Sequence, residues 1–285
     1  MFGNLTVVLP ARDEGPSLTT LLPRVHASVP GAHVIVVDDG SSDDTTDICH
    51  GQGAECVRHP YAKGNGAAIK SGARAASGDI IAFMDADSQH SPEDLAVLVA
   101  TLEQGYDMVV GARQRGSQAN VGRGLANRFY NWLATYMTGQ KVEDLTSGFR
   151  AVRADRFREF IYLLPNGFSY PTTITMAFFR AGYSVAYVPI HTAPRIGRSH
   201  IRLLRDGARF MLIIFKIGTL YSPMRIFGPI AGLFFSLGLG LYIYTFLTFG
   251  RFTNMSALLF VTSVLVFLIG LVSEQITTLI YRNRD

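Results

Sequence analysis

Ile80–Asp94 reads IIAFMDADSQHSPED: an apolar run followed at once by an acidic turn. A short apolar stretch bounded by turn formers reads as a buried strand. Asp85 and Asp87 then stand just past the strand end, the place where open α/β sheets bind their ligands. Ser91 is expected to cap the next helix, with Pro92 in its first position and the helix running to about Glu103.

The same grammar recurs on the N-terminal side. Leu5–Leu9 (LTVVL) and His33–Val37 (HVIVV) are expected strands, and Asp107–Gly111 (DMVVG) is a fourth. Ser17–Ser28 and Asp43–Gly51 have helical spacing. This β-α-β-α-β order predicts an α/β, Rossmann-like domain over residues 1–200 with a mainly parallel sheet. Strand one leads into Pro10-Ala11-Arg12-Asp13-Glu14, and strand two into Asp38-Asp39-Gly40-Ser41-Ser42-Asp43-Asp44-Thr45. With Asp85 and Asp87, three acidic clusters would converge on one crevice. Crowded carboxylates are costly unless a cation or a donor-rich ligand joins them. Asp85 and Asp87 are hard oxygen donors of the kind that suits Mg2+ or Mn2+, ions that readily share phosphate oxygens. Asp38 or Asp39 is suited to accept hydrogen bonds from a base or a ribose. Cys49, His50, Cys56 and His59 lack the spacing of a standard zinc site.

Composition divides the chain. It has 285 residues, 48% hydrophobic and only 17% charged, where soluble domains carry about a quarter charged residues. Disordered chains and disulfide scaffolds are excluded, the latter by a cysteine count of 2. Residues 1–200 hold 18 Lys+Arg against 19 Asp+Glu, whereas residues 201–285 hold 8 against 3. A basic segment beside apolar sequence points to anionic lipid, and no nucleic-acid motif accompanies it.

Ile226–Phe249 contains no charge and as a helix would reach about 36 Å, enough for a bilayer core. Met255–Ile280 is a second apolar run, broken only by Glu274 and Gln275. Residues 226–285 are therefore expected to form a transmembrane hairpin, with spans near 226–249 and 255–280. Arg202, Arg205, Arg209, Lys216 and Arg225 precede it, Arg282 and Arg284 follow it, and the tip holds Arg251 alone. Counting basic residues places residues 1–200 and the C-terminus in the cytoplasm, in a multi-pass inner-membrane protein. No N-terminal signal peptide is read. Within residues 201–225, Ile201–Tyr221 carries a basic stripe on an apolar helix and is expected to lie in the headgroup region. Homo-oligomer contacts through the membrane helices are a further expectation.

The segments LPARDE, VVDDGSSDDT, KGNGAAIKSG, MDADSQHSPEDL, GAR and DLTSGFRAVR resemble those of the inverting family 2 glycosyltransferases of GT-A fold. They are most similar to the polyprenyl-phosphate glycosyltransferases, of which dolichyl-phosphate mannose synthase is a type. The likeness covers about residues 5–200. It implies that Pro10, Arg12, Glu14, Val37 and Asp39 hold the nucleoside of a nucleotide-diphosphate sugar. It also implies that Asp85, Ala86, Asp87 and Gln89 surround the metal and diphosphate. Arg113 matches the arginine of the family's GxR segment, and Arg195 the arginine of its R-x-x-G-x-S-K segment. The lysine closing that last segment is His200 here. Where mannose synthases have a glutamate, this chain reads Gly167-Phe168-Ser169-Tyr170-Pro171-Thr172-Thr173.

The implied reaction is inverting transfer of the sugar to an undecaprenyl or dolichyl phosphate. A lipid phosphate is already an anion at neutral pH, so no general base is needed, and positioning with charge neutralisation remains. Arginines suit the acceptor phosphate because of their bidentate geometry; Arg113, Arg123, Arg128, Arg150 and Arg195 are the candidates, with Ser147 and His200 beside them. Arg123 and Arg128 are equally well read as surface charge, and Ser147–Arg150 as a fold-stabilising turn. Asp87, Arg113 and Arg195 are the expected catalytic residues. Lys63-Gly64-Asn65-Gly66 lacks the GxxxxGK[ST] pattern and is expected to be a tight turn with Lys63 facing the diphosphate. Two other readings remain open: a hydroxyl acceptor on a glycolipid or polysaccharide, and a non-catalytic membrane partner that binds a nucleotide sugar.

Overall fold

In a computed structural model, the described residues are 4–113, 121–167, 169–192, 215, 218, 219 and 222–282, with the side chains of 121–127 and 280–282 excepted. Arg195, His200 and the expected headgroup helix, apart from residues 215, 218 and 219, fall outside them. Packing divides the chain into two units, Met1–Tyr136 with Gln140–Asp206, and Met137–Gly139 with Gly207–Asp285.

The first unit is built on strands β1 (Leu5–Ala11), β2 (His33–Asp38), β3 (Glu55–Arg58), β4 (Ile80–Phe83), β5 (Met108–Arg113), β6 (Arg150–Arg153) and β7 (Val185–Ile190). Their order across the sheet is β3-β2-β1-β4-β6-β5-β7. β1 pairs parallel with β2 and β4, β2 with β3, and β5 with β7, while β6 runs antiparallel to both β4 and β5. The expected strands are all present. β3, β6 and β7 add to them.

Helices α1 (Gly15–Ser28), α2 (Thr45–Gly51), α3 (Asn65–Ala75), α4 (Asp94–Glu103), α5 (Val121–Thr138), α6 (Ala154–Arg158) and α7 (Tyr170–Arg180) accompany the sheet. The core forms where the apolar faces of β1, β2 and β4 meet Leu18, Leu22 and Val25 of α1 and Leu95, Leu98 and Leu102 of α4. Burying a large aliphatic side chain contributes about 1.5–3 kcal/mol, so these layers fix the sheet on which the strand-end loops stand. One boundary differs from expectation. α4 begins at Asp94, because Asp94 and Leu95 donate to the carbonyls of Ser91 and Pro92 in a tighter preceding turn. The Ser91 hydroxyl bonds Glu93 and caps no backbone N–H.

The second unit holds helices α8 (Pro223–Phe249) and α9 (Asn254–Arg282). Both are long and apolar enough to cross a bilayer, and little of either is buried in the protein. Gly250, at φ 62°, ends α8 in the left-handed conformation that glycine adopts freely, and Thr253 receives the Ser256 N–H at the start of α9. Ser263 donates to the Ala231 carbonyl across the pair, and Glu274 accepts the Met224 N–H at 3.4 Å. The carboxylate that interrupts the second apolar run therefore meets the first turn of α8, where backbone donors lack helical partners.

Candidate active site

Parallel β1, β2, β4 and β5 end at one edge of the sheet, so Arg12–Glu14, Asp38–Ser41, Asp85–Gln89 and Arg113 share that edge. Antiparallel β6 begins there, which brings in the loop from Asp144 to Phe149.

The first two loops are stapled together. Asp13, left-handed at φ 54°, accepts the Ser42 N–H at 2.8 Å, and its own N–H donates to the Ser41 hydroxyl. The Glu14 N–H donates to the Thr45 hydroxyl. Pro10 is half-buried at the end of β1, and Arg12 is exposed, 3.9 Å from Asp13. Asp38, expected to meet a nucleoside, is 0% exposed. Its oxygens accept the Ser41 N–H at 2.8 Å and the Thr46 hydroxyl at 2.6 Å. Burial alone would raise its pKa, but these bonds and the nearby Arg58 hold it below the ordinary carboxylate value. Asp38 is a loop brace, which corrects that expectation. Val37 is 0% exposed in β2, backbone and side chain alike, between β1 and β3, which corrects the expectation that it meets the nucleoside.

Asp39 organises the next turn. It accepts the Lys63 and Gly64 N–H groups at 2.8 and 2.7 Å and lies 2.7 Å from His59 Nδ1. These contacts outweigh burial and hold its carboxyl low. Lys63 is exposed, with Nζ 5.7 Å from the Tyr61 ring centroid. The start of α3 is no phosphate cradle, since the Gly66 and Ala67 N–H groups donate to the carbonyls of Gly167 and Asn166. A Cβ at Gly66 would lie 2.0 Å from the Pro165 carbonyl, which explains the glycine.

At the end of β4, Asp85, Asp87 and Gln89 are half-buried and Ala86 is buried. Ser88 is left-handed at φ 58°, turning the chain so that Asp87 Oδ1 receives the Gln89 N–H at 3.2 Å. Ser17 of α1 donates to the Ala86 carbonyl at 2.6 Å and meets the Ser88 hydroxyl at 2.7 Å, fixing the turn. The donor set is hard oxygen throughout. A Cβ at Gly148 would stand 3.0 Å from Asp85 Oδ2, so the glycine leaves that carboxylate its room. Mg2+ uses one or two carboxylates plus phosphate and water, and this set fits it. Among the described residues no group of three His, Cys, Asp or Glu forms an all-protein cage.

Across the crevice, Arg113 and Asp144 make the dominant charge pair. Arg113 Nε donates to Asp144 Oδ2 at 2.8 Å and Nη2 to Oδ1 at 2.9 Å. Burial works against both charges, yet the contact holds Asp144 below and Arg113 above their usual values. Asp144 Oδ1 also accepts the Thr146 and Ser147 N–H groups at 3.1 Å. His90 stacks on Phe149 and burial lowers its pKa to about 4, so it is neutral at physiological pH. Asp144 was absent from the expected site. An Asp bonding the N–H groups two and three residues on is a local signature, but its partner is 31 positions away in sequence.

Ser147 is buried and its hydroxyl has no partner among the described residues. Arg150, expected at an acceptor phosphate, is 0% exposed. It donates to the Ser147 carbonyl, to the Pro171 carbonyl at 3.3 Å and to the Thr175 hydroxyl at 3.1 Å. A side chain with no solvent access meets no incoming phosphate, which corrects that expectation. Arg128 is exposed on α5, and the Arg123 side chain lies outside the described residues, as do Arg195 and His200.

Comparison with known proteins agrees with this layout. The family model "Glycosyl transferase family 2" matches residues 6–161, more than half the chain, and a "GtrB C-terminal hairpin" model matches residues 222–279. Glycosyltransferase AglJ of Haloferax volcanii is 27% identical over 220 residues, 75% of this chain and 72% of that protein. An undecaprenyl-phosphate 4-deoxy-4-formamido-L-arabinose transferase of Photorhabdus laumondii is 36% identical over 159 residues, 52% of this chain and 49% of the relative. The match thus spans about half the length of such transferases. Glucosyl-3-phosphoglycerate synthase of Mycobacterium tuberculosis, solved with Mn2+, UDP and glucosyl-3-phosphoglycerate, shares the fold. Its TM-score is 0.61 at 22% identity, covering 74% of this chain and 78% of that one. With the sheet, the strand-end loops and the matched segment in agreement, the chain belongs to glycosyl transferase family 2 and is a glycosyltransferase.

Proposed function

We propose that this protein transfers a sugar from a nucleotide diphosphate to a polyprenyl phosphate at the cytoplasmic face of the membrane. The observation that carries the reading is the union, in one chain, of a family 2 crevice and an apolar helix pair matching the GtrB hairpin. Relatives named as undecaprenyl-phosphate transferases support it. So does helix α5, which exposes Phe129, Trp132 and Tyr136 along one face, the aromatic composition of a membrane boundary.

The nucleoside would lie against the β1 and β2 ends, bounded by Pro10, Arg12, Glu14 and Asp39, with Lys63 towards the diphosphate. Asp85, Asp87 and Gln89 would hold Mg2+ or Mn2+, which offsets the charge of the departing diphosphate. Arg113, fixed by both Asp144 oxygens, presents an oriented cation to the acceptor side. Arg128, Arg123, Arg195 and His200 are further acceptor-phosphate candidates. Asp144 is held ionised by Arg113 and is a poor proton acceptor. That favours an acceptor already carrying negative charge over a hydroxyl.

The test is a transfer assay with purified protein, undecaprenyl phosphate and a panel of radiolabelled UDP- and GDP-sugars, with Mn2+ or Mg2+. Lipid-linked product that vanishes with chelator and in Asp87→Asn is expected. No lipid-linked product across the panel rejects the proposal.

A further inference from the structure

Arg150 calls for a physical account of its own. A buried cation without a counter-ion destabilises a fold unless its surroundings are arranged for it. Among the described residues no carboxylate lies within ion-pair distance of Arg150, Asp144 and Asp85 acting on it only through space, and its Nε is buried without a partner there. The guanidinium instead spans two elements, bonding the Ser147 carbonyl on the loop before β6 and the Pro171 carbonyl and Thr175 hydroxyl on α7. It also lies 5.7 Å from the Tyr170 ring centroid.

Each of those anchors leads to the crevice. The Tyr170 hydroxyl donates to the Gly148 carbonyl at 3.0 Å. Gly148 packs so close to Asp85 that a Cβ there would stand 3.0 Å from Oδ2. Ser147, whose carbonyl Arg150 holds, gives its N–H to Asp144, the residue that orients Arg113. One buried fork therefore sets the height of a loop that touches both sides of the site. Lysine keeps the charge but lacks the planar fork needed to bridge two elements at once.

We propose that Arg150 is a positioning residue of the transfer reaction, clamping the Asp144–Phe149 loop to α7 so that Asp85 and Arg113 stand in register for the diphosphate and the acceptor. The inference rests on the transferase reading above. It is tested with full-length protein in nanodiscs, undecaprenyl phosphate, Mn2+ and whichever UDP- or GDP-sugar of the panel the wild type turns over. Arg150→Lys is expected to lower kcat at least about tenfold and to raise the half-saturating Mn2+ concentration about tenfold. Tyr170→Phe removes only the bond to Gly148 and should move both in the same direction, with kcat falling about fivefold; it decides the matter if Arg150→Lys does not fold. A role confined to the scaffold would reduce the amount of active protein and leave the Mn2+ dependence and the donor KM where they were. That result, or kcat within twofold of wild type in an active preparation, overturns the proposal alone. A wild type inactive with every donor overturns the transferase reading and this inference with it.

Discussion

Asp144→Asn tests the electrostatic centre of the crevice. The substitution keeps the shape and turns one carboxylate oxygen into an NH2 donor. If the remaining oxygen stays with the Thr146 and Ser147 N–H groups, the new NH2 faces Arg113 Nε, which now donates to Oδ2 at 2.8 Å. Two bonds to that oxygen are lost, from Arg113 Nε and from the Arg113 backbone N–H at 3.3 Å, the shorter contributing about 1.5–3 kcal/mol, and the guanidinium loses its counter-ion. Breaking a fully buried pair costs about 3–5 kcal/mol. The Arg113 side chain is 27% exposed, so water covers part of that loss. A net cost of about 2–3 kcal/mol follows, lowering Tm by about 4–12 °C for a unit of this size.

The pH dependence has a definite sign. The Arg113 guanidinium and the backbone donors hold the Asp144 carboxyl below the ordinary aspartate value in the folded protein, against the effect of burial. Its contribution is therefore complete well above that value and fades as pH falls through the folded-state pKa. Thermal unfolding of the full-length protein in detergent, from neutral pH to about pH 3, should show a gap between wild type and Asp144→Asn that narrows with acid. Equal Tm values at neutral pH, or a gap independent of pH, would refute the reasoning.

Other outcomes follow from contacts already described. Gly148→Ala places a methyl 3.0 Å from Asp85 Oδ2 and 3.3 Å from the Tyr170 hydroxyl; transfer should slow about tenfold with a Tm change under about 4 °C, and an unchanged rate would contradict it. Gly40 has φ +72°, and its Cβ would meet the Tyr61 and Ala62 backbone at 2.7 Å. Gly40→Ala should cost about 2–3 kcal/mol, read as a lower denaturant midpoint at constant slope; an unmoved midpoint counts against the strain argument. Trp132 is the only tryptophan in the chain and is 60% exposed. In nanodiscs its fluorescence should be quenched by lipids brominated near the headgroups, and quenching no stronger than by unlabelled lipid would remove the α5 face from the membrane boundary.

The parts of the fold legible in sequence were those whose signal is local. β1, β2 and β4 are continuous apolar runs, each followed by a polar turn, and the two long apolar helices need only a count of uncharged residues. β6 escaped because its four residues, Arg-Ala-Val-Arg, carry charges at both ends. Its strand character comes from pairing with β4 and β5, a long-range property. The same limit governed individual residues. Asp38 and Asp39 are indistinguishable in sequence, yet one is sealed in a turn and the other anchors the Lys63 loop. Arg150 read as a ligand for phosphate, since burial of an arginine against carbonyls from two separate elements leaves no periodic trace. Conversely, the glycine at position 66 and the loop at 165–167 explain each other only once they are seen in contact.

β6 is the strand that breaks the parallel pattern, and its direction governs how the crevice can diversify. The chain leaves the sheet at Arg113 and returns at Arg150 on one and the same rim. Whatever lies between is an excursion that begins and ends outside the strands. Its length can change without shifting a strand register as long as its Asp144–Phe149 end keeps its bonds to Arg113 and its place against Asp85, while the turn around Asp85 belongs to a parallel crossover and has no such freedom. Related enzymes should therefore keep the Asp85 turn and the Asp144–Phe149 end nearly constant in size and vary most in the stretch that precedes that end, so that diversity is gained by exchanging one insertion while the frame stays as it is.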